Sequence, residues 1–381
     1  MIEDLSDEQL RARDSVKWDV AEPGVLPAWV AETDYALDPH ITAALQQALR
    51  DEVVGYPAPK PGARLAVAFT GFAARNWGWE TDPGRVVLAG DVMAGVRLVL
   101  ETLCEKAPVV VPTPAYPPFL DVAQVTGRPL VQVPLDADAR DAVLDLERIE
   151  AQLTAGARTV ILCNPHNPWG RAFTRPELEG LRDIVTRYGA RVISDEIHAP
   201  LVLPGAEHVP YLTIDGTADH ATTVLSASKA WNVPGLKCAQ IVAGNDADAA
   251  ALNGVPLVAN HGVSPLGIVA NTAAFNEGEP WLKAFIARID EQRSLLHELV
   301  ATHLPAARMR PIEATYLAWL DLRAYGYDEP AGVCLERADV MLNEGTAFGE
   351  GGAGHVRVTL ATSPERLTEV VRRLARALKP H

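Results

Sequence analysis

The 381-residue sequence predicts an α/β fold: a large domain with a mostly parallel sheet covered by helices, plus a smaller α/β domain. Three observations lead there. Short, apolar, β-branched runs recur with helical patterns between them. These runs are continuously apolar rather than alternating, as expected of strands buried on both faces. After one long helix the pattern changes to strand, helix, strand, helix.

The strands of the large domain are expected at 86–89, 109–111, 130–133, 159–163, 191–194, 223–225 and 239–243. Amphipathic helices are expected at 95–106, 175–188 and 280–303. Pro176 sits near the start of the second, where its missing N–H costs little. In the tail, 311–322 reads as strand, 331–343 as helix, 355–361 as strand and 364–378 as helix. The resulting division is a large domain over 46–280, with an N-terminal arm and small domain formed by 1–45 and 281–381.

Composition narrows the function. Lys and Arg number 34 against 49 Asp and Glu, a net charge of −15, and no basic run offsets it. Such a chain repels phosphate backbones and anionic lipid, so neither nucleic acid nor membrane is an expected partner. No apolar run approaches the roughly 20 residues that span a bilayer. The opening MIEDLSDEQLRARD is acidic and lacks an apolar signal core, so a cytoplasmic protein is expected. The four cysteines are scattered with no C-x-x-C pair, which argues against a metal site or a disulfide framework. Cys163, ending an apolar run, reads as a buried thiol.

Two short patterns mislead. Gly349, Gly351 and Gly354 fit G-x-G-x-x-G, but they precede a strand instead of following one, so they read as a tight-turn loop. Ser226 and Lys229 fit S-x-x-K, yet the S-D-N and K-T-G partners of the penicillin-recognising enzymes are missing.

Four other segments lie at or near expected strand ends, where open α/β sheets bind ligands. They are NPHNPWG at 164–170, SDEIH at 194–198, SASK at 226–229 and the strand of Arg357. Taken singly, Lys229 reads as a surface lysine, Asp195 as a turn or cap residue, His198 as a structural histidine and Arg357 as an ion-pair partner. Their order and spacing change the reading.

With LPAWVAETDY at 26–35, GYP at 55–57, PTPAYPPF at 112–119, SASKAWNVPGLK at 226–237 and EATYLAWLDLR at 313–323, the chain resembles the fold-type I, class I/II aminotransferase superfamily. Within it, the sequence looks like the MalY/PatB-like cystathionine β-lyase (C–S lyase) branch. The resemblance runs over nearly the whole chain and implies pyridoxal 5′-phosphate (PLP) as cofactor.

By that resemblance Lys229 holds the cofactor aldehyde as a Schiff base, and Asp195 pairs with the pyridinium nitrogen so that the ring can draw in electrons. Released by the substrate amine, Lys229 becomes the base for the Cα proton. Asn167 is implied at the ring oxygen and the substrate carboxylate. His198 stands where many aminotransferases carry a tyrosine bonded to that ring oxygen, and Tyr116 is the aromatic implied on the ring face. The amides of Gly90, Asp91 and Val92 and the side chains of Ser226, Ser228 and Lys237 are implied at the phosphate. Tyr56 resembles a tyrosine that reaches the neighbouring subunit's phosphate, which implies a homodimer with shared sites. Arg357 is implied as the fork for the substrate α-carboxylate, with backbone near Ala31 lining the pocket. Two residues depart from the pattern. Trp169 replaces a small residue, and Asp91 puts an acid beside the implied phosphate cradle, so its carboxylate must point away or that cradle is assigned wrongly.

The implied activity is β-elimination from a cysteine S-conjugate such as cystathionine, giving thiol, pyruvate and ammonia. An aminotransferase on the same scaffold is the alternative, and a regulatory binding protein on an enzyme scaffold ranks below it.

Overall fold

The structure, a computed structural model, describes residues 2–136 and 143–379. Its centre is a seven-stranded sheet. In chain order the strands are β1 (Val86–Ala89), β2 (Val109–Thr113), β3 (Leu130–Pro134), β4 (Thr159–Cys163), β5 (Arg191–Asp195), β6 (Ala221–Leu225) and β7 (Ala239–Ala243). Across the sheet they run β1-β7-β6-β5-β4-β2-β3, and only β7 is antiparallel to its neighbours. Strands β2, β4, β6 and β7 are buried at every residue, which is why they carry no polar alternation. Each strand expected in this sheet is present, to within two residues at either end.

The helix after β1 spans Val92–Leu103 and so begins earlier than the apolar pattern suggests. Asp91 caps it by accepting the Ala94 N–H at 2.8 Å. The helix Arg175–Arg187 opens with a capping box of Thr174 and Glu177. The long helix runs Glu279–His303, almost as its periodicity indicates.

A second, four-stranded sheet contains β8 (Arg308–Met309), β9 (Leu317–Asp321), β10 (Asn343–Glu344) and β11 (His355–Thr359), in the order β10-β11-β9-β8 with antiparallel neighbours. The expectation for this region needs two corrections. The strand expected over 311–322 forms only at Leu317–Asp321, because the residues before it turn through Thr315, whose φ is +69°. The helix expected over 331–343 stops at Ala338, where Asp339 adopts a left-handed conformation and turns the chain into Val340–Met341. Val340–Met341 pairs in parallel with Leu26–Pro27 and ties the N-terminal arm to this region. The closing helix, Pro364–Ala377, follows as expected.

Gly349, Gly351 and Gly354 all have positive φ in the loop ahead of β11, which is the tight-turn reading. Trp169 is buried with Leu135, and the Arg310 guanidinium lies 3.9 Å from its ring centroid, so this tryptophan has a packing and cation–π role. Cys163 is a buried free thiol. Among the described residues no helix is long and apolar enough to cross a membrane.

Candidate active site

Strands β1, β2, β4, β5 and β6 point the same way, and a cavity of about 180 Å³ opens beyond their C-terminal ends. Its lining includes Ala31, Asp91, Val92, Tyr116, Cys163, Asn167, Asp195, His198, Ser228, Lys229 and Lys237. Residues dispersed over more than 200 positions of sequence thus meet at one sheet edge.

Asp195 is the last residue of β5, buried, and its Oδ1 accepts the Ile197 N–H at 2.9 Å. Burial pushes its carboxyl up to about 7, with the adjacent Glu196 adding to the rise against the Ile197 bond and Lys229. Lys229 follows β6, and its Nζ donates to the Ala31 carbonyl at 3.0 Å. Burial, then the nearby Arg357 cation, lower the amine to about 8. A neutral, proton-accepting amine is therefore accessible near neutral pH.

His198 is buried, its ring edge-on to Tyr316 with centroids 6.4 Å apart. Burial and then the Lys229 cation hold it down at about 3, so the imidazole is neutral. Its Nδ1 has no hydrogen-bond partner. Tyr116 packs edge-on against Phe119, and burial raises its phenol above the ordinary range.

Arg357, on β11, donates to Asn167 Oδ1 at 3.0 Å, to the Trp29 carbonyl at 3.0 Å and to Asn343 Oδ1 at 2.7 Å. Its Nε is buried without a partner, and its guanidinium lies over the Phe348 ring at 5.0 Å. Burial lowers it to about 10, still a cation at neutral pH.

At the other end of the cavity, Gly90 leads from β1 into the helix that starts at Val92. A Cβ at Gly90 would come within 2.9 Å of the Gly262 carbonyl oxygen, so the close approach here requires glycine. The Asp91 carboxylate does not point away, contrary to the condition set for a phosphate cradle here, so that cradle needs the acid to give up its partners. The carboxylate lines the cavity, caps the helix and pairs with Lys237 Nζ at 2.9 Å. Burial would raise it, but the Ala94 N–H and Lys237 prevail and hold it below the usual carboxylate range. Both partners are substantially exposed, so the pair is weak.

Ser228 faces the cavity, whereas Ser226 sits behind it. The Ser226 hydroxyl donates to the Cys238 carbonyl at 2.7 Å and accepts the Ser228 N–H at 3.1 Å, which bends the chain before Lys229. Tyr56 lies away from this cavity and is fully exposed, at 102%.

The structure adds residues that the motifs did not single out. Tyr316 donates to the Ala31 carbonyl at 3.0 Å, the same oxygen that holds Lys229. Asn343 and the Trp29 carbonyl fix Arg357. Tyr316 and Trp29 lie inside quoted segments, so the signal was present without its role; Asn343 stands in no motif.

The residues fit a bound pyridoxal phosphate. A lysine amine and a carboxylate share the cavity, a helix start with nearby hydroxyl and ammonium groups lies at one end, and a neutral imidazole leaves one ring nitrogen unpaired.

Residues 30–374 match the family model described as aminotransferase class I and II. The chain belongs to this family. As an aminotransferase class I and II protein it is 42% identical to a candidate cystathionine β-lyase of Mycobacterium leprae, over 99% of this chain and 98% of that one. It is 38% identical to a cystathionine β-lyase of Corynebacterium glutamicum, over 97% and 98%. Among solved structures, a candidate PLP-dependent β-cystathionase of Corynebacterium diphtheriae superimposes with a TM-score of 0.94 at 37% identity, over 99% of each chain. Matches to MalY and PatB agree with the branch that the motifs imply.

Proposed function

We propose that this chain is a PLP-dependent carbon–sulfur β-lyase that splits a cysteine S-conjugate such as cystathionine into thiol, pyruvate and ammonia. The observation that carries the reading is the cavity shared by the Lys229 amine and the Asp195 carboxylate. The relatives named cystathionine β-lyase favour elimination over transamination on this scaffold.

When bound, pyridoxal phosphate supplies an aldehyde for the substrate amine and a ring that withdraws the electron pair left at Cα. Lys229 would hold the cofactor through its aldehyde. Asp195 would stand opposite the ring nitrogen, whose positive charge would favour the ionised carboxylate against the cost of burial. Arg357 takes the α-carboxylate in a fork, with Asn167 beside it, and so fixes which Cα bond faces Lys229. The Lys229 amine, lowered to about 8, removes the Cα proton. The thiolate then departs from Cβ. Tyr116 and His198 line the space that the ring would fill. Ser228, Lys237 and the amides of Gly90, Asp91 and Val92 hold the phosphate, while Ser226 shapes the turn beneath it.

The same reading makes the protein a cytoplasmic homodimer. Tyr56, exposed together with Val54, is free to complete the site of a second copy. It also divides the chain into a large unit over 46–280 and a smaller one from 1–45 and 281–381.

The test is incubation with cystathionine, with and without a 2-oxo acid, while pyruvate, ammonia and homocysteine are assayed. Turnover to all three without a 2-oxo acid is expected. A strict requirement for the 2-oxo acid, with no pyruvate released, would make it an aminotransferase. A PLP-loaded sample that turns over no amino acid would favour a regulatory protein.

A further inference from the structure

Lys229 and Arg357 are both held by one irregular segment of the N-terminal arm. The Trp29 carbonyl accepts from Arg357 at 3.0 Å, and the Ala31 carbonyl accepts from Lys229 at 3.0 Å. Between them the chain bends, with the Glu32 N–H donating to the Val30 carbonyl at 2.9 Å. Such a bent strap has no long strand ladder to fix it, so its position depends on individual ties.

A buried ionic tie comes from behind, beside main-chain bonds from Ala28 to Met341 and from Asp34 to Ala361 and the Asn232 side chain on Thr33. Lys17 Nζ donates to Asp34 Oδ1 at 2.8 Å and to the Glu32 carbonyl at 3.2 Å. The Trp18 indole N–H donates to the same Asp34 oxygen at 2.8 Å. The side chains of Lys17 and Asp34 are each only 1% exposed. Arg13 adds a second, less buried tie through the Thr33 carbonyl at 3.0 Å.

Burying two charges is a poor source of net stability, because their attraction must first offset desolvation of both, and an apolar pair of similar volume often does as well. What an ion pair supplies and an apolar pair does not is direction. This one is aimed at the residues that follow Ala31 in the strap.

We propose that the Lys17–Asp34 pair is a positioning device for the substrate pocket: it sets the strap whose main-chain oxygens place Lys229 and Arg357. The proposal rests on the reading of Arg357 as the α-carboxylate fork.

The test uses the PLP-loaded enzyme and propionate, a carboxylate without an amine, whose dissociation constant is read by ligand-observed NMR titration. Lys17→Met/Asp34→Asn removes both charges, keeps the lysine stem's bulk and leaves an amide oxygen for the Trp18 N–H. Propionate binding is expected to weaken about tenfold, as for loss of roughly one charge-assisted hydrogen bond, with KM for cystathionine rising in step and kcat falling less. A lower Tm with an unchanged propionate constant and KM would show a purely structural pair and overturn the proposal. If the double variant does not fold, Lys17→Gln decides, since it removes the cation of the pair and keeps a donor for Asp34, with about threefold weaker propionate expected and no change refuting the proposal. Arg357→Lys serves as the control. Unchanged propionate binding there would instead refute the carboxylate fork, and the proposal with it.

Discussion

Replacing Arg357 by lysine keeps the charge and removes the fork. The guanidinium now donates to Asn167, Asn343 and the Trp29 carbonyl, and its Nε has no partner. A substrate carboxylate that meets two parallel N–H groups gains two charge-assisted bonds, whereas an ammonium makes a point contact. One such bond is worth about 1.5–3 kcal/mol. At about 1.4 kcal/mol per factor of ten, Arg357→Lys should raise KM for cystathionine roughly ten- to a hundredfold. Stability should also fall, since one ammonium cannot serve the three acceptors, one buried and two part-buried, in the guanidinium's geometry. That loss is separable, because it acts equally on every substrate. The assay is steady-state kinetics on a cysteine thioether and on the matching thioether amine without the carboxylate. The amine should be nearly unaffected. Equal effects on both would remove Arg357 from the role of carboxylate clamp.

Lys229→Ala should abolish turnover together with the visible absorbance of lysine-bound cofactor; absorption and activity measurements that find that band intact would sink the assignment. Asp195→Asn should retain cofactor but lose roughly two orders of magnitude in turnover, the scale of removing one preorganised charge, and near-normal kinetics would make Asp195 merely structural. The same variant has a pH signature. Without cofactor, burial raises Asp195 from 3.8 to about 7, so the folded chain holds a proton that the unfolded chain releases, and stability falls as pH climbs through that window. The amide that replaces the carboxyl cannot titrate, so Tm against pH in the stripped variant should be flatter between those values; an unchanged slope would place the titration elsewhere. Tyr56→Phe should weaken PLP retention by about tenfold, the loss of one hydrogen bond, and sedimentation showing an active, PLP-loaded monomer would refute a shared site.

Much of the site was legible because its chemistry sits in side chains at strand ends. NPHNP, SDEIH and SASK each follow or close an apolar strand, and the sheet brings Asn167, Asp195 and Lys229 to one edge. The seven apolar runs likewise marked the large sheet, since burial on both faces leaves little else for those segments to be. What sequence did not show falls into two kinds. The first is local backbone and capping. Asp91 was expected to turn from the cradle, but a helix start attracts a carboxylate and Lys237 stands beside it, so the acid stays. The overlong tail strand and helix failed because single residues in left-handed backbone, Thr315 and Asp339, end them, and neither is a glycine that would announce the turn. The second kind is contact made by the main chain. Nothing in the letters W and A says that the carbonyls of Trp29 and Ala31 will hold an arginine and a lysine.

The Ala31 carbonyl, shared by Lys229 and Tyr316, has a consequence for how this site can change over evolutionary time. Every residue type carries a backbone oxygen, so no substitution at position 31 can delete the acceptor. Drift can reach it only by moving the peptide plane, through bulk at 31 or through residues elsewhere that set the path of the chain. A contact built this way is inherited with the trace of the backbone rather than with any one codon. A designer wishing to retune the lysine would have to redesign a loop.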